Sequence, residues 1–362
     1  MVRLGIAGFG IMGRGHANDI FEGKVPGIEL TAVCDTNPSQ LESIKKDHPS
    51  IATFGSTTAM FESGTIDAVL ITTPHYDHPI IAMEAFDYNI HVMIEKPAGV
   101  FTKNVREMNA KAAKSKVVFG IMYNQRTNPM YIKMREIIQG GQLGQLKRIS
   151  IIITDWYRPQ AYYNAGGWRA TWKGEGGGVL INQCPHNLDL WQWICGMPKR
   201  ITAFAHNGKW HNIEVEDDVT AYIEYENGAT GTFVTSTADC PGTNRFEVLG
   251  DLGKLVYEND ELVHYKLDIS ERKFNETNKE MFAYPKAERV VLDCPGEYTK
   301  HAGVLTAFVK AIKGEGELIA RGEEGINGLM ISNALHLSSW LGKTVELPLD
   351  EDLFHEELTK RF

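Results

Sequence analysis

A lysine locked against a proline at the end of an apolar run is the first pattern here that suggests chemistry. In "HVMIEKPAGV", residues 91–100, the stretch from His91 to Ile94 reads as a buried strand, and Glu95, Lys96 and Pro97 close it. Proline fixes its own φ and restricts the residue before it to extended conformations. The Lys96 cation is therefore aimed, and its bond to Pro97 is a candidate for the cis form. An aimed ammonium can face a bound ligand at a strand end; a solvated charge is the other reading. A second constellation follows: Gly176, Gly177 and Gly178, then Asn182, His186 and Asp189. Read as one helix over 178–195, Asn182 and His186 stand at i, i+4 on a shared face, with Asp189 near it. Pro185 kinks or restarts that helix. An imidazole with the usual pKa of about 6.5 suits a general base near neutral pH, and a hydrogen-bonded core histidine is the other reading of His186.

The third pattern is "GFGIMG", residues 8–13, comprising Gly8, Phe9, Gly10, Ile11, Met12 and Gly13. It follows a β-branched run, opens a helical one, and has Asp35 at the end of the next strand, 22 residues after Gly13. Together these make a dinucleotide fingerprint. Gly8 makes the turn, Gly10 admits the pyrophosphate, and Gly13 lets the helix pack close. The helix N-terminus offers amides and a positive dipole to phosphates. Asp35 can accept hydrogen bonds from ribose hydroxyls and would repel a 2′-phosphate. Thr36 and Asn37 follow it, with no arginine to bind that phosphate, so NAD is favoured over NADP.

These groups need elements to position them. Up to about residue 125, short apolar runs alternate with helical ones, which implies a parallel sheet with crossover helices covering both faces. Beyond it, "LKRISIIITDWYR", "RITAFAH", "VTAYIEYENGATGTFVTST" and "FEVLGDLGKLVYE" are longer alternating strands. The Asn-Gly in "ENGAT" marks a hairpin. The expected fold is α/β: a doubly wound parallel sheet over residues 1–124, then an α+β domain over 125–362. The second domain is expected to hold a large, mostly antiparallel, open sheet. Helical segments near 128–139, 178–195 and 303–312 are expected to cover one of its faces. The other face, if apolar, points to a homo-oligomer, dimer or tetramer. The helix near residue 325 could pack on either domain.

Composition sets limits. At 362 residues, 43% hydrophobic and 23% charged, the chain has globular values and room for two domains. A formal net charge of −9 argues against nucleic acid as a partner. No apolar run is long enough to span a membrane, and "MVRLGIAGFG" turns to glycine before a secretory h-region forms. Five widely spaced cysteines without a CxxC read as reduced thiols in a cytoplasmic protein, with no metal expected.

"GIAGFGIMGRGHA", "AVCD", "ITTPHYDH", "IEKP" and "GGGVLINQCPHNLDL" occur in an order that resembles the Gfo/Idh/MocA family, the group of glucose–fructose oxidoreductase and inositol dehydrogenase. The resemblance covers essentially the whole chain. It implies an N-terminal Rossmann domain, a C-terminal domain with a large open sheet, and a nicotinamide-dependent oxidoreductase acting on a sugar or polyol. It also implies that Lys96 and His186 flank the reacting hydroxyl, and that Thr73, Pro74, His78, Glu95 and Asn124 line the cofactor. Many relatives carry Asp where this chain has Asn182. An amide cannot ionise, but it can bind a substrate hydroxyl.

The segment "DWYRPQAYYNAGGWRATW", residues 155–172, carries Trp156, Tyr157, Tyr162, Tyr163, Trp168 and Trp172, with Arg158 and Arg169 between them. Aromatic faces pack on sugar C–H faces and interleaved polar groups bind hydroxyls. Tyr157, Arg158, Trp168, Arg169 and Asn182 are the expected substrate contacts; interface packing is the other reading of the aromatics, and Arg158 and Arg169 leave room for an acidic sugar. Two further functions stay open. One retains NAD and uses transient oxidation for glycoside elimination, hydrolysis or epimerisation; the other is a non-catalytic NAD-binding sensor. Net NADH release separates the first from a dehydrogenase.

Overall fold

The computed structural model describes residues 1–362. Backbone contacts divide the chain into two units. One is Met1–Thr127 with Tyr298–Leu329; the other is Asn128–Glu297 with Met330–Phe362.

The first unit alternates strand and helix. Its strands are β1 (Val2–Ala7), β2 (Ile28–Cys34), β3 (Ala52–Phe54), β4 (Ala68–Ile71), β5 (His91–Ile94) and β6 (Phe119–Ile121). Between them run α1 (Ile11–Phe21), α2 (Pro38–Asp47), α3 (Thr57–Glu62), α4 (Asp77–Asp87) and α5 (Thr102–Ala112). The strand order is β3-β2-β1-β4-β5-β6, and every pairing is parallel. This is the doubly wound arrangement, with its order reversing between β1 and β4. β4 is buried along its whole length, as a strand covered on both faces must be. Local sequence starts the helices: Asn37 accepts the Ser39 N–H at 3.1 Å, with Pro38 in the first turn of α2.

Register fixes where these strands end. Cys34 pairs with Ala7, Ala7 with Ile71, Ile71 with Ile94, and Ile94 with Ile121. The residues that follow, Asp35, Gly8, Thr72, Glu95 and Met122, therefore share one carboxyl edge. Ligands of open α/β sheets bind at that edge.

The helix Lys300–Ile312 does not cover the antiparallel sheet, as its sequence position suggested. Its Val304, Leu305, Phe308 and Val309 are buried in one cluster with Leu4 and Ile6 of β1, Leu30 of β2, and Ala17 and Ile20 of α1. The reason is demand. A parallel sheet exposes two apolar faces, and this helix supplies cover that α1 alone does not. Amphipathic spacing shows that a helix has a face to bury, not which sheet will bury it.

The second unit holds α6 (Pro129–Gln139), β7 (Leu146–Ile153), a short α7 (Gln160–Tyr163) and α8 (Pro185–Cys195). Then come β8 (Arg200–Asn207), β9 (Glu216–Glu224), β10 (Thr230–Ser236), β11 (Asn244–Gly250), β12 (Gly253–Glu258) and β13 (Glu261–Leu267). α9 (Glu271–Thr277), β14 (Ala287–Val291), β15 (Val345–Glu346) and a last helix, Glu351–Thr359, follow, and residues 330–341 of the helix Gly325–Leu341 belong to this unit as well. The order is β14-β13-β12-β11-β7-β10-β9-β8-β15, antiparallel throughout except between β7 and β10. The Asn-Gly hairpin joins β9 to β10, with Gly228 at φ 83° and the Asn227 side chain accepting the Ala229 N–H. Ile149, Ile151 and Ile153 of β7 and Phe233 of β10 are buried, and Trp191 of α8 stacks on Phe233 at 5.6 Å. The opposite face is mixed rather than apolar. It carries Thr220, Thr232 and an Arg245–Glu247–Glu258 cluster beside exposed Phe204 and Tyr222.

Phe308→Ala should destabilise the protein by about 3–5 kcal/mol, the usual range for emptying a buried aromatic site. Urea denaturation should show it, with hydrogen exchange rising in β1 and β2. Loss of protection confined to the nine-stranded sheet would contradict this packing.

Candidate functional site

The glycine loop sits at the carboxyl edge of the parallel sheet. Gly8 has φ 89°, and a Cβ there would meet the Thr72 and Thr73 backbone at 2.9 Å. A Cβ on Gly13 would meet the Gly8 carbonyl oxygen at 2.2 Å, so the helix closes onto the turn only with glycine. At Gly10, by contrast, nothing lies within 4 Å. Gly10 caps α1 without a side-chain bond, and Ile11 and Met12 are 81% and 41% exposed. An open, uncapped helix start beside a tight turn is a cradle for phosphate. Asp35 closes its far side: one carboxylate oxygen accepts the Phe9 N–H at 2.6 Å and the other the Asn37 N–H at 2.8 Å. The Thr73 hydroxyl is buried with no hydrogen-bond partner in the chain. These residues fit a dinucleotide.

Glu95 is buried next to Lys96. Its Oε1 lies 2.6 Å from His16 Nε2, and its Oε2 accepts the Lys96 backbone N–H at 3.1 Å. His301 sets its ring edge-on to His16 at 5.2 Å. Burial opposes ionisation of Glu95, but the His16 bond and the nearby His16, His301 and Lys96 side chains outweigh it and hold its pKa at about 2. Burial lowers the His301 pKa against the pull of Glu95, and Asn124 Nδ2 approaches His301 Nε2 at 2.8 Å, a contact that suits an unprotonated nitrogen. The Lys96–Pro97 bond is cis. His78 is buried, with its ring nitrogens 2.7 Å from the Pro97 carbonyl oxygen and 2.8 Å from that of Thr73. It ties the strand end that carries Lys96 to the loop that carries Thr73 and Pro74.

In the second unit the helix over 178–195 is shorter than its sequence suggested. It begins at Pro185, which stands in the first turn of α8 with Cys184 as cap. His186 is thus a buried first-turn residue, while Asn182 lies in the preceding turn, its N–H bonded to the Gly178 carbonyl at 3.0 Å. The i, i+4 face does not exist, because proline has no N–H to continue a helix through it.

The glycine run wraps a buried carboxylate. Gly178 and Leu180 donate N–H bonds of 2.9 Å to Glu216, and a Cβ on Gly178 would meet the Glu216 carbonyl oxygen at 2.0 Å. His336 Nε2 lies 3.0 Å from the same carboxylate, an ion-pair distance without hydrogen-bond alignment. A second carboxylate, Glu175, accepts the Ala170 N–H at 2.6 Å and a bond from Asn182 Nδ2. Burial raises its pKa, while the Ala170 and Asn182 bonds and the Arg169 charge pull it down.

The aromatic segment divides. Tyr163 and Trp172 are buried: Tyr163 bonds the Thr237 hydroxyl, and Trp172 donates to the Glu214 carbonyl and packs on His336 and Trp340. The others form an open ladder. Arg158 lies over Trp156 and Tyr162 at 5.6 and 5.1 Å, and Arg169 over Tyr162 and Trp168 at 5.0 and 4.6 Å. Tyr157 is half exposed beside it. Sequence reasoning missed Glu175, His16 and His301. The first two carry a faint signal, a charged or polar side chain abutting a glycine motif; His301 carries none.

The Glu95 contribution to stability has a definite sign. Its folded pKa lies below the ordinary 4.5, so the contribution is complete above about pH 4.5 and lost as pH falls toward 2. Between those limits wild-type stability should fall more steeply than that of Glu95→Gln, as read from urea midpoints. Parallel profiles would contradict the pairing.

Comparison with known proteins agrees with this geometry. Residues 2–123 match an oxidoreductase family with an NAD-binding Rossmann fold, and residues 131–256 match the GFO/IDH/MocA C-terminal domain. The chain is 27% identical over 212 residues to a 1-carboxy-3-chloro-3,4-dihydroxycyclohexa-1,5-diene dehydrogenase of Comamonas testosteroni, covering 58% of this chain and only 52% of that one. It is 26% identical to the D-glucoside 3-dehydrogenase of Escherichia coli, over 88% of this chain and 90% of that one. The crystal structure of the WlbA dehydrogenase of Chromobacterium violaceum, with NADH and UDP-GlcNAcA, superposes with a TM-score of 0.82 at 26% identity, over 96% of each chain. No helix is long and apolar enough to cross a membrane. With both of its domain types matched in order, the chain belongs to the GFO/IDH/MocA family of oxidoreductases, and its first unit is an NAD-binding Rossmann fold.

Proposed function

We propose that this protein catalyses the reversible NAD-dependent oxidation of a secondary hydroxyl on a neutral sugar, glycoside or cyclitol. The observation that carries the reading is the joint presence, on a chain of this family, of Lys96 at the carboxyl edge of the parallel sheet and His186 in the first turn of α8. The relative named as a D-glucoside 3-dehydrogenase supports the substrate class.

NAD, when bound, supplies the hydride acceptor. The chain's own residues do the rest. Backbone amides from Gly10 to Met12 hold the pyrophosphate, and Asp35 accepts from the ribose hydroxyls while repelling a 2′-phosphate. Thr73, Pro74, Glu95 and Asn124 shape the cofactor edge, and His78 braces it. His186 takes the hydroxyl proton as general base. Lys96 donates a hydrogen bond to the oxygen as its charge develops. Tyr157, Arg158, Trp168, Arg169 and Asn182 hold the ring so that one carbinol is presented. Assembly as a homo-oligomer through the outward face of the nine-stranded sheet is part of the proposal, and it rests on exposed Phe204 and Tyr222 rather than on the continuous apolar face expected.

Lys96→Met should leave NAD affinity nearly intact and cut turnover by about 10² or more, since the lost interaction is made mainly in the transition state. His186→Ala should lower kcat by about 10²–10⁴ and abolish the wild-type pH–rate profile. Asp35→Ala should weaken NAD and relax discrimination against NADP, measured by calorimetric titration. In a screen read at the NADH absorbance band, a sugar, glycoside or cyclitol should outperform lactate and malate, and Trp168→Ala should raise its KM. The reverse order of substrates would sink the substrate class.

A further inference from the structure

No arginine follows Asp35 directly in the chain, but the fold brings one to the same edge. Arg14 stands immediately after the glycine motif, on α1, and its guanidinium lies 4.8 Å over the ring of Phe9. Phe9 is the residue whose backbone N–H the Asp35 carboxylate accepts at 2.6 Å. On its other side the guanidinium reaches α2. Nε donates to Gln40 Oε1 at 3.2 Å, Nη2 donates to the same oxygen at 2.5 Å, and Nη1 donates to Ser43 Oγ at 3.4 Å. The cap of α2, Asn37, gives its N–H to the second Asp35 oxygen at 2.8 Å. Asp35 and Arg14 therefore both bear on Phe9 and on the start of α2. The residue after Phe9 is Gly10, the position with nothing within 4 Å, where the cradle lies open.

The partners of Arg14 matter for their charge. Nε and Nη2 form an edge of the guanidinium that can take two oxygens of a phosphate or carboxylate. Here that edge closes on a single amide oxygen, and the remaining bond goes to a hydroxyl. An amide and a hydroxyl satisfy donors without neutralising the cation. The side chain is half-buried, so water screens that charge only in part. A phosphate on the ribose 2′ oxygen carries about 1.5 to 2 negative charges at neutral pH. An unneutralised fork close to the ribose carboxylate suits such a group, and Asp35 repels it. The two side chains thus act on one position of the cofactor with opposite sign.

We infer that Arg14 is a specificity-determining residue for the cofactor: Gln40 holds its guanidinium in reserve, and it receives the 2′-phosphate of NADP once the charge of Asp35 is removed. Cofactor choice is then a contest between an anion and a cation, with the anion prevailing in the natural chain. The inference deepens the cofactor part of the proposed function and rests on the ribose lying at Asp35.

The test reads binding rather than turnover. Calorimetric titration of the full-length protein gives Kd for NADH and for NADPH. The variants are Arg14→Ala, Gln40→Ala, Asp35→Ala and Asp35→Ala/Arg14→Ala, with folding checked by circular dichroism; Asp35→Ser replaces Asp35→Ala in both if the alanine variant does not fold. Wild type should bind NADH more tightly than NADPH. Asp35→Ala should shift the preference toward NADPH by about 10², and adding Arg14→Ala should take back about tenfold of that shift, the effect of one charge-assisted contact. Gln40→Ala frees the fork and should move the natural chain toward NADPH by about threefold. Arg14→Ala alone should weaken NADH by less than about threefold, because NADH carries no 2′-phosphate. A double variant within about twofold of Asp35→Ala in its preference overturns the inference and leaves Asp35 as the ribose group. A loss of NADH affinity of about tenfold in Arg14→Ala alone assigns the guanidinium to another part of the dinucleotide and overturns it as well. So does a Gln40→Ala shift away from NADPH, or a wild type that prefers NADPH. If Asp35→Ala changes neither affinity, the ribose placement fails and this inference falls with it.

Discussion

A carboxylate deprived of water must be surrounded by donors, and the first unit is organised around one such debt. Glu95 is buried at the end of β5, and its partners come from well-separated parts of the sequence. His16 arrives on α1, the helix that the glycine loop opens. His301, on the helix Lys300–Ile312, sets its ring edge-on to that of His16, and the backbone N–H of Lys96 donates to the second carboxylate oxygen. The cost of leaving any buried charge uncompensated is several kcal/mol. The same carboxylate therefore sets the phosphate cradle, the lysine and the third chain segment relative to one another. The charge is a constraint on position before it is a contributor to chemistry.

The second unit repeats the device with different residues. Glu216 draws Gly178 and Leu180 to its oxygens, which explains why the run from Gly176 to Gly178 tolerates no side chain at its end. Glu175 draws Ala170 and Asn182. Between these two anchors the chain is led from the aromatic ladder to the first turn of α8, where His186 sits. Gly177 and Gly178 there approach protein closely, at His336 and at the Glu216 carbonyl oxygen, and the histidine's placement is inherited from that path.

What the sequence made legible was whatever depends on near neighbours in the chain. The turn at Gly8, the helix closing over Gly13, the edge carboxylate Asp35 and the Asn227-Gly228 hairpin all follow from local geometry, and all are found. The alternation of strand and helix gave the parallel sheet for the same reason. What depended on partners distant in sequence stayed hidden. Nothing in Val304 to Val309 states which sheet will bury them. Trp172 and Tyr163 look like their neighbours in the aromatic segment until His336, Trp340 and Thr237 arrive to enclose them. Glu175 was not singled out, because the shell that buries it forms only when the loop closes. The break at Pro185 lay between these cases: proline announced it, and the apparent i, i+4 spacing concealed it.

The split first unit has a consequence for synthesis on the ribosome. Its core needs Val304 to Val309, yet these residues follow all but one of the nine strands of the other unit. Vectorial synthesis therefore delivers the strands of the larger sheet, short of β15, while the nucleotide-binding sheet still lacks a covering helix. Nascent Met1–Thr127 must wait, with an apolar face uncovered, for some 170 residues to be made. Chaperone demand should concentrate on that interval.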